Sequence, residues 1–313
     1  MIPRIGYLLP TRERIMEGRN ETASLLALAE RAEGLGFDSI WIGDSLTARP
    51  RHEPMALLAA VAARTKRVRM GTAVMLPALR NPVLLAHQAA TIDQISEGRL
   101  ILGVGIASDV ANIRQEFASC GVPFEQRGAR MMELIRLCRA LWTGEPVSWE
   151  GRWMLSDQKI GPLPFRKGGP PIWLAGSKPL ALKRIATQLD GWFPNDSDPA
   201  QWARVRADID AQAREAGRDP AEITGAAYLT LAIDDNAERA EERLNAYLEN
   251  YYNQPAIALR KRQVCYAGPA AGAGEWLAAY ANAGVSHMCL RFAGEHERQQ
   301  DIISRIKSDL GWN

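Results

Sequence analysis

The feature that most constrains this chain is an alternation running through most of its length: short, almost continuously apolar segments separated by longer amphipathic ones. A strand that is apolar on both faces must be covered on both, and alternating strands with helices supplies that cover as crossovers on a parallel sheet. Eight segments read as strands: "RIGYL" (residues 4–8), "SIWIG" (39–43), "RMGTAV" (69–74), "LILGVG" (100–105), "IWLAG" (172–176), "GWF" (191–193), "TGAAYLTLAI" (224–233) and "HMCLRF" (287–292). Among the helical segments, "NETASLLALAERAEGLG" offers Asn20 or Thr22 as a cap at its start and Gly36 at its end. The segment "PVLLAHQAATIDQIS" places Pro82 in a first turn. Eight such units suit a closed (β/α)8 TIM barrel of the α/β class, with a doubly wound sheet as the alternative. A doubly wound nucleotide fold puts a glycine-rich turn after its first strand, where this chain has "LPTRERIMEGRN".

Residues 143–171, "TGEPVSWEGRWMLSDQKIGPLPFRKGGPP", break the rhythm. They are too long and too rich in Gly, Pro and Trp for a simple connection, so an inserted hairpin and loop is expected between strands four and five. With 313 residues, 47% of them hydrophobic, the chain can bury a large core, and a single barrel domain over residues 1–313 is expected.

Thirty-eight Lys plus Arg against 36 Asp plus Glu leave a formal charge of +2 with no long single-sign block, which gives no electrostatic argument for nucleic acid or an acidic membrane. In "MIPRIGYLLPTRER" an arginine interrupts a short apolar run that proline and charge soon end, so neither a secretory leader nor a spanning segment is expected, and a soluble cytoplasmic protein is. Cys120, Cys138, Cys265 and Cys289 form no CxxC pair and read as reduced thiols. His52, His87, His287 and His296 show no metal-ligand spacing, so no metal is expected.

In a barrel the active site is assembled from the C-terminal ends of the strands. Strand two ends in Asp44 and Ser45, strand three in "AVMLP", strand four in "GVGIASD" and strand five in "LAGSKP". These tips are small, glycyl or polar, the walls that a flat cofactor ring with an amide edge requires. At "LAGSKP", Gly176 permits close backbone approach, Ser177 offers a hydroxyl, Lys178 adds charge, and a helix beginning near Pro179 points free N–H groups at an anion; a simple helix cap is the other reading. Asp44 is either a general acid or base or the anchor of a neighbouring loop through backbone N–H groups. Trp41, Trp173 and Trp192 read as core, and His87 as a packing or surface residue. Neither a nucleophile elbow nor a glycosidase carboxylate pair is present, which assigns the chemistry to a cofactor.

The stretches "GFDSIWIGDS", "RVRMGTAVMLPALRNPVLLAHQAATIDQISEGRLILGVG" and "PPIWLAGSKPLALKRIATQLDGWF" resemble, in order and spacing, the bacterial luciferase-like superfamily of flavin- or deazaflavin-dependent oxidoreductases. The resemblance implies a (β/α)8 barrel, a homodimer, and a cofactor at the C-terminal mouth, coenzyme F420 or, alternatively, FMN. It further implies that Thr72, Ala73 and Val74 back the middle ring, with a non-prolyl cis bond between Ala73 and Val74. Gly105, Ile106 and Ala107 would then line the far edge, and Ala175, Gly176 and Ser177 would hold the ribityl phosphate. Asp44 and Ser45 are the candidate catalytic residues. Where many deazaflavin relatives have Asp-His, this chain has Asp44-Ser45, and where they have an acidic residue beyond strand four it has Ser108 followed by Asp109. The missing histidine leaves substrate-assisted or Asp-assisted chemistry open. The expected activity is hydride transfer between F420 and a small organic substrate. The alternatives are an FMN-dependent monooxygenase served by a separate flavin reductase, and a barrel that binds a cofactor or ligand without catalysis.

Overall fold

The computed structural model describes residues 2–312. In chain order the strands are β1 Arg4–Leu8, β2 Ser39–Ile42, β3 Arg69–Thr72, β4 Leu100–Val104, β5 Val147–Glu150, β6 Met154–Gln158, β7 Ile172–Leu174, β8 Gly191–Trp192, β9 Thr224–Ile233, β10 Cys265–Gly268 and β11 His287–Phe292. All eight expected segments are strands. They pair in parallel in the cyclic order β1, β2, β3, β4, β7, β8, β9, β11 and back to β1, which closes a (β/α)8 barrel.

One paired strand was not expected from the sequence. β9 runs ten residues, but β8 covers only its first two, Thr224 and Gly225. β10 takes over further along, pairing Cys265 with Thr230 and Gly268 with Ile233, so the long strand keeps its hydrogen bonds past the end of its short neighbour.

Large rings fill the barrel interior where glycines leave room. A Cβ on Gly71 would come within 2.6 Å of the Trp41 ring, and one on Gly191 within 2.4 Å of Trp173. Trp41 and Trp173 lie 5.4 Å apart between ring centres, and Trp41 and Phe193 4.9 Å. Below them Ser39 Oγ accepts from Trp41 Nε1 at 2.7 Å and meets His287 Nε2 at 2.7 Å. The fully buried imidazole of His287 is pushed down to about 3 by burial and by the charges of Arg69 and Arg4.

A second, larger apolar layer lies between the strands and their helices. Helix Pro82–Ile95 begins on Pro82, and the Asn81 side chain accepts from the N–H groups of Val83 and Leu84. Helix Ala23–Gly34 starts after Thr22, whose side chain makes no capping bond, and the chain turns away at Gly36 with φ 81°. Trp41, Trp173 and Trp192 are all fully buried, and His87 is exposed on its helix. Residues 143–171 contain the antiparallel hairpin β5–β6, set between the fourth and fifth barrel strands. The four cysteines are free, and among the described residues no helix is long and apolar enough to cross a membrane.

Candidate active site at the barrel mouth

The interior rings form a floor. Over it, at the C-terminal ends of the strands, backbone lines one side and charged side chains the other. β3 stops at Thr72, and sheet pairing resumes only with a bridge between Met75 and Val104. Ala73 and Val74 form the bulge in between, joined by a cis peptide bond as the resemblance implied. The ends on both sides hold the bulge: Ala73 N–H donates to Ile42 at 2.8 Å, and Met75 N–H donates to Gly103 at 2.8 Å. Thr72 is fully buried and its hydroxyl donates to Gly103 O at 2.7 Å, so it braces the bulge. Ala73 and Val74, half-buried, pack on the floor rings.

The end of β4 closes onto this bulge because Gly105 has no side chain; a Cβ there would lie 2.7 Å from Val74 Cγ2. Ile106 and Ala107 follow, both half-buried, and Ala107 sits at φ 64°. That left-handed conformation costs a non-glycine residue about 1 kcal/mol and is the kind of strain that gathers at sites. Ser108 and Asp109 are exposed, and Asp109 is committed to Arg114 at 2.6 Å.

Beyond β7 the chain turns through Ala175, Gly176 and Ser177 into helix Pro179–Gln188. Gly176 has φ 128°, a conformation open to glycine, and its carbonyl accepts from Trp192 Nε1 at 3.1 Å. The N–H groups of Gly176, Ser177 and Lys178 find no acceptor among the described residues. The Ser177 hydroxyl is engaged, donating to Asp196 at 2.7 Å. Nearby, Arg127 donates to Ile106 O at 2.9 Å. Arg184 lies against Gly128, and burial lowers its pKa below the ordinary arginine value.

The two residues at the end of β2 face neighbouring loops. The Asp44 carboxylate is buried, takes both Arg80 Nη groups at 2.6 and 3.0 Å, and accepts from Leu76 N–H at 2.8 Å. Burial works against the Arg80 charge, but Asp44 and Glu53 outweigh it and raise its pKa. Of the two roles the sequence leaves open for Asp44, these are the bonds of the loop anchor. Ser45 donates to Glu116 Oε1 at 2.8 Å, and the same oxygen accepts the N–H groups of Leu46, Thr47 and Ala48 at 2.5 to 3.1 Å.

The remaining side of the mouth carries side chains that sequence reasoning passed over. Tyr228 of β9 stands over the floor, 6.0 Å from Phe193. Burial raises its phenol well above the usual tyrosine value, so it stays protonated at neutral pH. Arg291 of β11 is 1% exposed and donates to Thr230, Tyr252 and Gln263. The available signal was an arginine inside "HMCLRF", a strand otherwise buried on both faces, and a tyrosine and threonine two apart in β9 that share a face. Among the described residues no group of three or more His, Cys, Asp or Glu is placed to hold a metal ion.

Taken together, the mouth has an aromatic floor, a wall of small residues and backbone from β3 and β4, and free N–H groups with Lys178 and Arg184 beside the β7 turn. This donor set fits a flat ring carrying a phosphate-bearing chain, and Asp196, which accepts from the Ser177 hydroxyl, opposes an anion there.

The family of luciferase-like monooxygenases matches residues 3–301. A 5,10-methylenetetrahydromethanopterin reductase from Methanolobus tindarius is 32% identical over 215 residues, 68% of this chain but 62% of that relative, so the match spans less than two thirds of its length. An F420-dependent glucose-6-phosphate dehydrogenase from Rhodococcus erythropolis is 27% identical over 91% of this chain and 94% of its own. A solved F420-dependent secondary alcohol dehydrogenase, in complex with an F420-acetone adduct, superposes with a TM-score of 0.82 over 98% of both chains at 22% identity, a likeness of fold.

Proposed function

The chain belongs to the luciferase-like monooxygenase family, and from that premise we propose that it is an oxidoreductase transferring a hydride between coenzyme F420 and a small organic substrate. The observation that carries this reading is the mouth itself, an aromatic floor walled by backbone, with cations beside a glycyl turn whose N–H groups find no acceptor among the described residues. Relatives whose names specify F420 favour the deazaflavin over FMN. When bound, the cofactor supplies the two-electron hydride chemistry that the side chains lack.

In this reading Ala73, Val74, Gly105, Ile106 and Ala107 back and edge the ring, with Thr72 bracing them from behind. The N–H groups of Gly176 and Ser177 take the phosphate beside Ala175, helped by Lys178 and Arg184. Asp44 and Ser45 act as positioning residues that fix the loops flanking the site. The proton falls to Tyr228, whose neutral phenol is held at the floor. Tyr228→Phe is expected to lower turnover about a hundredfold with F420 affinity unchanged; full turnover in that variant would hand the proton to substrate or solvent. The same reading makes residues 1–313 one barrel domain with 143–171 inserted, acting in the cytoplasm as a homodimer.

A side-by-side fluorescence titration of the purified protein with F420, FMN and reduced FMN tests the proposal. Binding of F420 with FMN ignored is the expected result. Selective binding of reduced FMN would overturn it in favour of a two-component monooxygenase with a separate reductase. Tight F420 binding without turnover over a broad substrate panel would favour a non-catalytic binding barrel.

A further inference from the structure

Arg291 is a buried cation without a carboxylate, and the groups around it repeat the theme. Its donors go to neutral oxygens on Thr230, Tyr252 and Gln263, and its guanidinium lies 5.3 to 5.5 Å from the ring centres of Tyr228, Tyr247, Tyr251 and Tyr252. Three more arginines reach the same tyrosines: Arg12 at 5.0 Å and Arg51 at 5.7 Å from Tyr251, and Arg49 at 4.7 Å from Tyr252. Arg12 donates to Tyr251 O and Arg51 to Arg49 O, and among the described residues none of the four arginines forms an ion pair. Among the described residues the carboxylate that meets the cluster is Glu13, which accepts from the Tyr247 hydroxyl at 2.5 Å. Four positive charges therefore face one negative charge in a partly dry setting, where like charges repel more strongly than in water. Burial and the neighbouring charges of Arg51 and Arg49 lower the pKa of Arg12, while the tyrosines, with Glu13 at Arg51, outweigh burial and raise those of Arg51 and Arg291, so the guanidinium groups stay charged.

The cluster opens onto the mouth. A Cβ on Gly43, at the end of β2, would lie 2.2 Å from Arg51 Nη1 and 3.7 Å from Ala73 O, so the absence of a side chain there lets Arg51 lie beside the β3 bulge. Tyr228 joins the floor to Arg291, standing 6.0 Å from Phe193 and 5.4 Å from the guanidinium. Arg49 and Arg51 are half-buried and reachable from solvent, while Arg291 is buried behind the tyrosines and adds positive potential. These cations belong to β11, the helix Thr11–Met16 after β1 and the loop after β2, and the β7 turn presents its own separate set.

We propose that this arginine–tyrosine cluster binds an oxyanion, a carboxylate or a phosphate, carried by the small organic substrate. The inference rests on the redox reading only in calling the occupant the substrate; the anion site follows from the cluster alone. Arg49 and Arg51 present planar donor forks suited to two-oxygen recognition, and the tyrosine faces hold the guanidinium groups in place.

Calorimetric titration of the full chain with benzoate, with inorganic phosphate and with neutral benzyl alcohol tests this, and the two anions separate carboxylate from phosphate recognition. At least one anion is expected to bind, benzyl alcohol at least about tenfold more weakly, and Arg51→Gln to weaken the anion about tenfold or more. Arg49→Gln replaces that variant if Arg51→Gln does not fold. Absence of anion binding, or binding untouched by both substitutions, overturns the inference. Binding lost in Gly176→Val but kept in Arg51→Gln overturns it too, because the anion then sits on the β7 turn. Failure of F420 to bind protein that takes up the anion would overturn the redox reading and leave the anion site standing.

Discussion

Asp44 and Arg80 meet where two loops leave the barrel, and the energetics of that pair decide what Asp44 does. The carboxylate side chain is 1% exposed and the guanidinium 13%. Removing one partner of a buried pair leaves the other charged and poorly solvated, which typically costs about 3 to 5 kcal/mol. Arg80→Met is therefore expected to lower the unfolding free energy by about 3 kcal/mol, read from the urea midpoint at unchanged slope. A loss under about 1 kcal/mol would mean that water replaces the guanidinium and that Asp44 is free for chemistry. Glu116 allows a graded test. Its Oε1 accepts three backbone N–H groups and one hydroxyl, so Glu116→Ala should cost about 3 kcal/mol or more, and Glu116→Gln, which keeps a carbonyl oxygen for them, clearly less. Equal losses would show that charge, and not the hydrogen-bond geometry, holds the loop. Asp44 and Ser45 could be found in the sequence because they follow a strand. Their partners stand 36 and 71 residues away, and no local pattern ties them together.

At the scale of elements, the strands were legible because burial on both faces writes an uninterrupted apolar run, but their ends were not. The expected strands ran one or two residues past β2, β3, β4, β7 and β8. Several of those overshot residues form the mouth: Ala73 and Val74 leave the sheet in a bulge, Gly105 takes the close approach to it, and Ala175 and Gly176 turn toward a helix. Propensity continues through such positions, and tertiary pairing stops them. β10 escaped notice because "CYAG" is too short for a pattern and exists as a strand only against the free edge of β9. The hairpin β5–β6 carries a prediction of its own. Its β6 side is largely exposed, and its turn is tied down by Glu133, which pairs with the Arg152 side chain and accepts Arg152 N–H at 2.7 Å. Local opening exposes a segment to protease without global unfolding. Glu133→Ala should therefore speed tryptic cleavage after Arg152 or Lys159 several-fold beyond what any change in the global unfolding free energy, read from the urea midpoint, accounts for. Cleavage rates that follow the global midpoint would show that the hairpin opens only when the barrel does.

The barrel as a whole is closed by a histidine whose charge it does not accept. His287 opens β11, the strand that joins β9 to β1, and its ring lies inside the barrel against Trp41 and Trp173, 5.5 and 5.2 Å away. Its Nε2 meets Ser39 Oγ, while Nδ1 finds no partner among the described residues. Protonation would place a charge among aromatic rings with Arg69 and Arg4 nearby, which is why its pKa falls from 6.5 to about 3. The sign follows from proton counting. Between those two values the unfolded chain binds a proton that the folded chain refuses, so stability from this group is fully present above about pH 6.5 and is lost as pH falls toward about 3. From about pH 6 to about pH 4 the loss is on the order of 2.5 kcal/mol. His287→Gln keeps a hydrogen-bonding side chain that does not titrate. Urea unfolding at the two pH values should show the variant losing less stability than the parent by about that amount, whatever its starting stability. Parallel losses in both proteins would mean that the barrel admits the imidazolium, through a water or a shifted strand, and that its closure is looser than the packing of Trp41 and Trp173 implies.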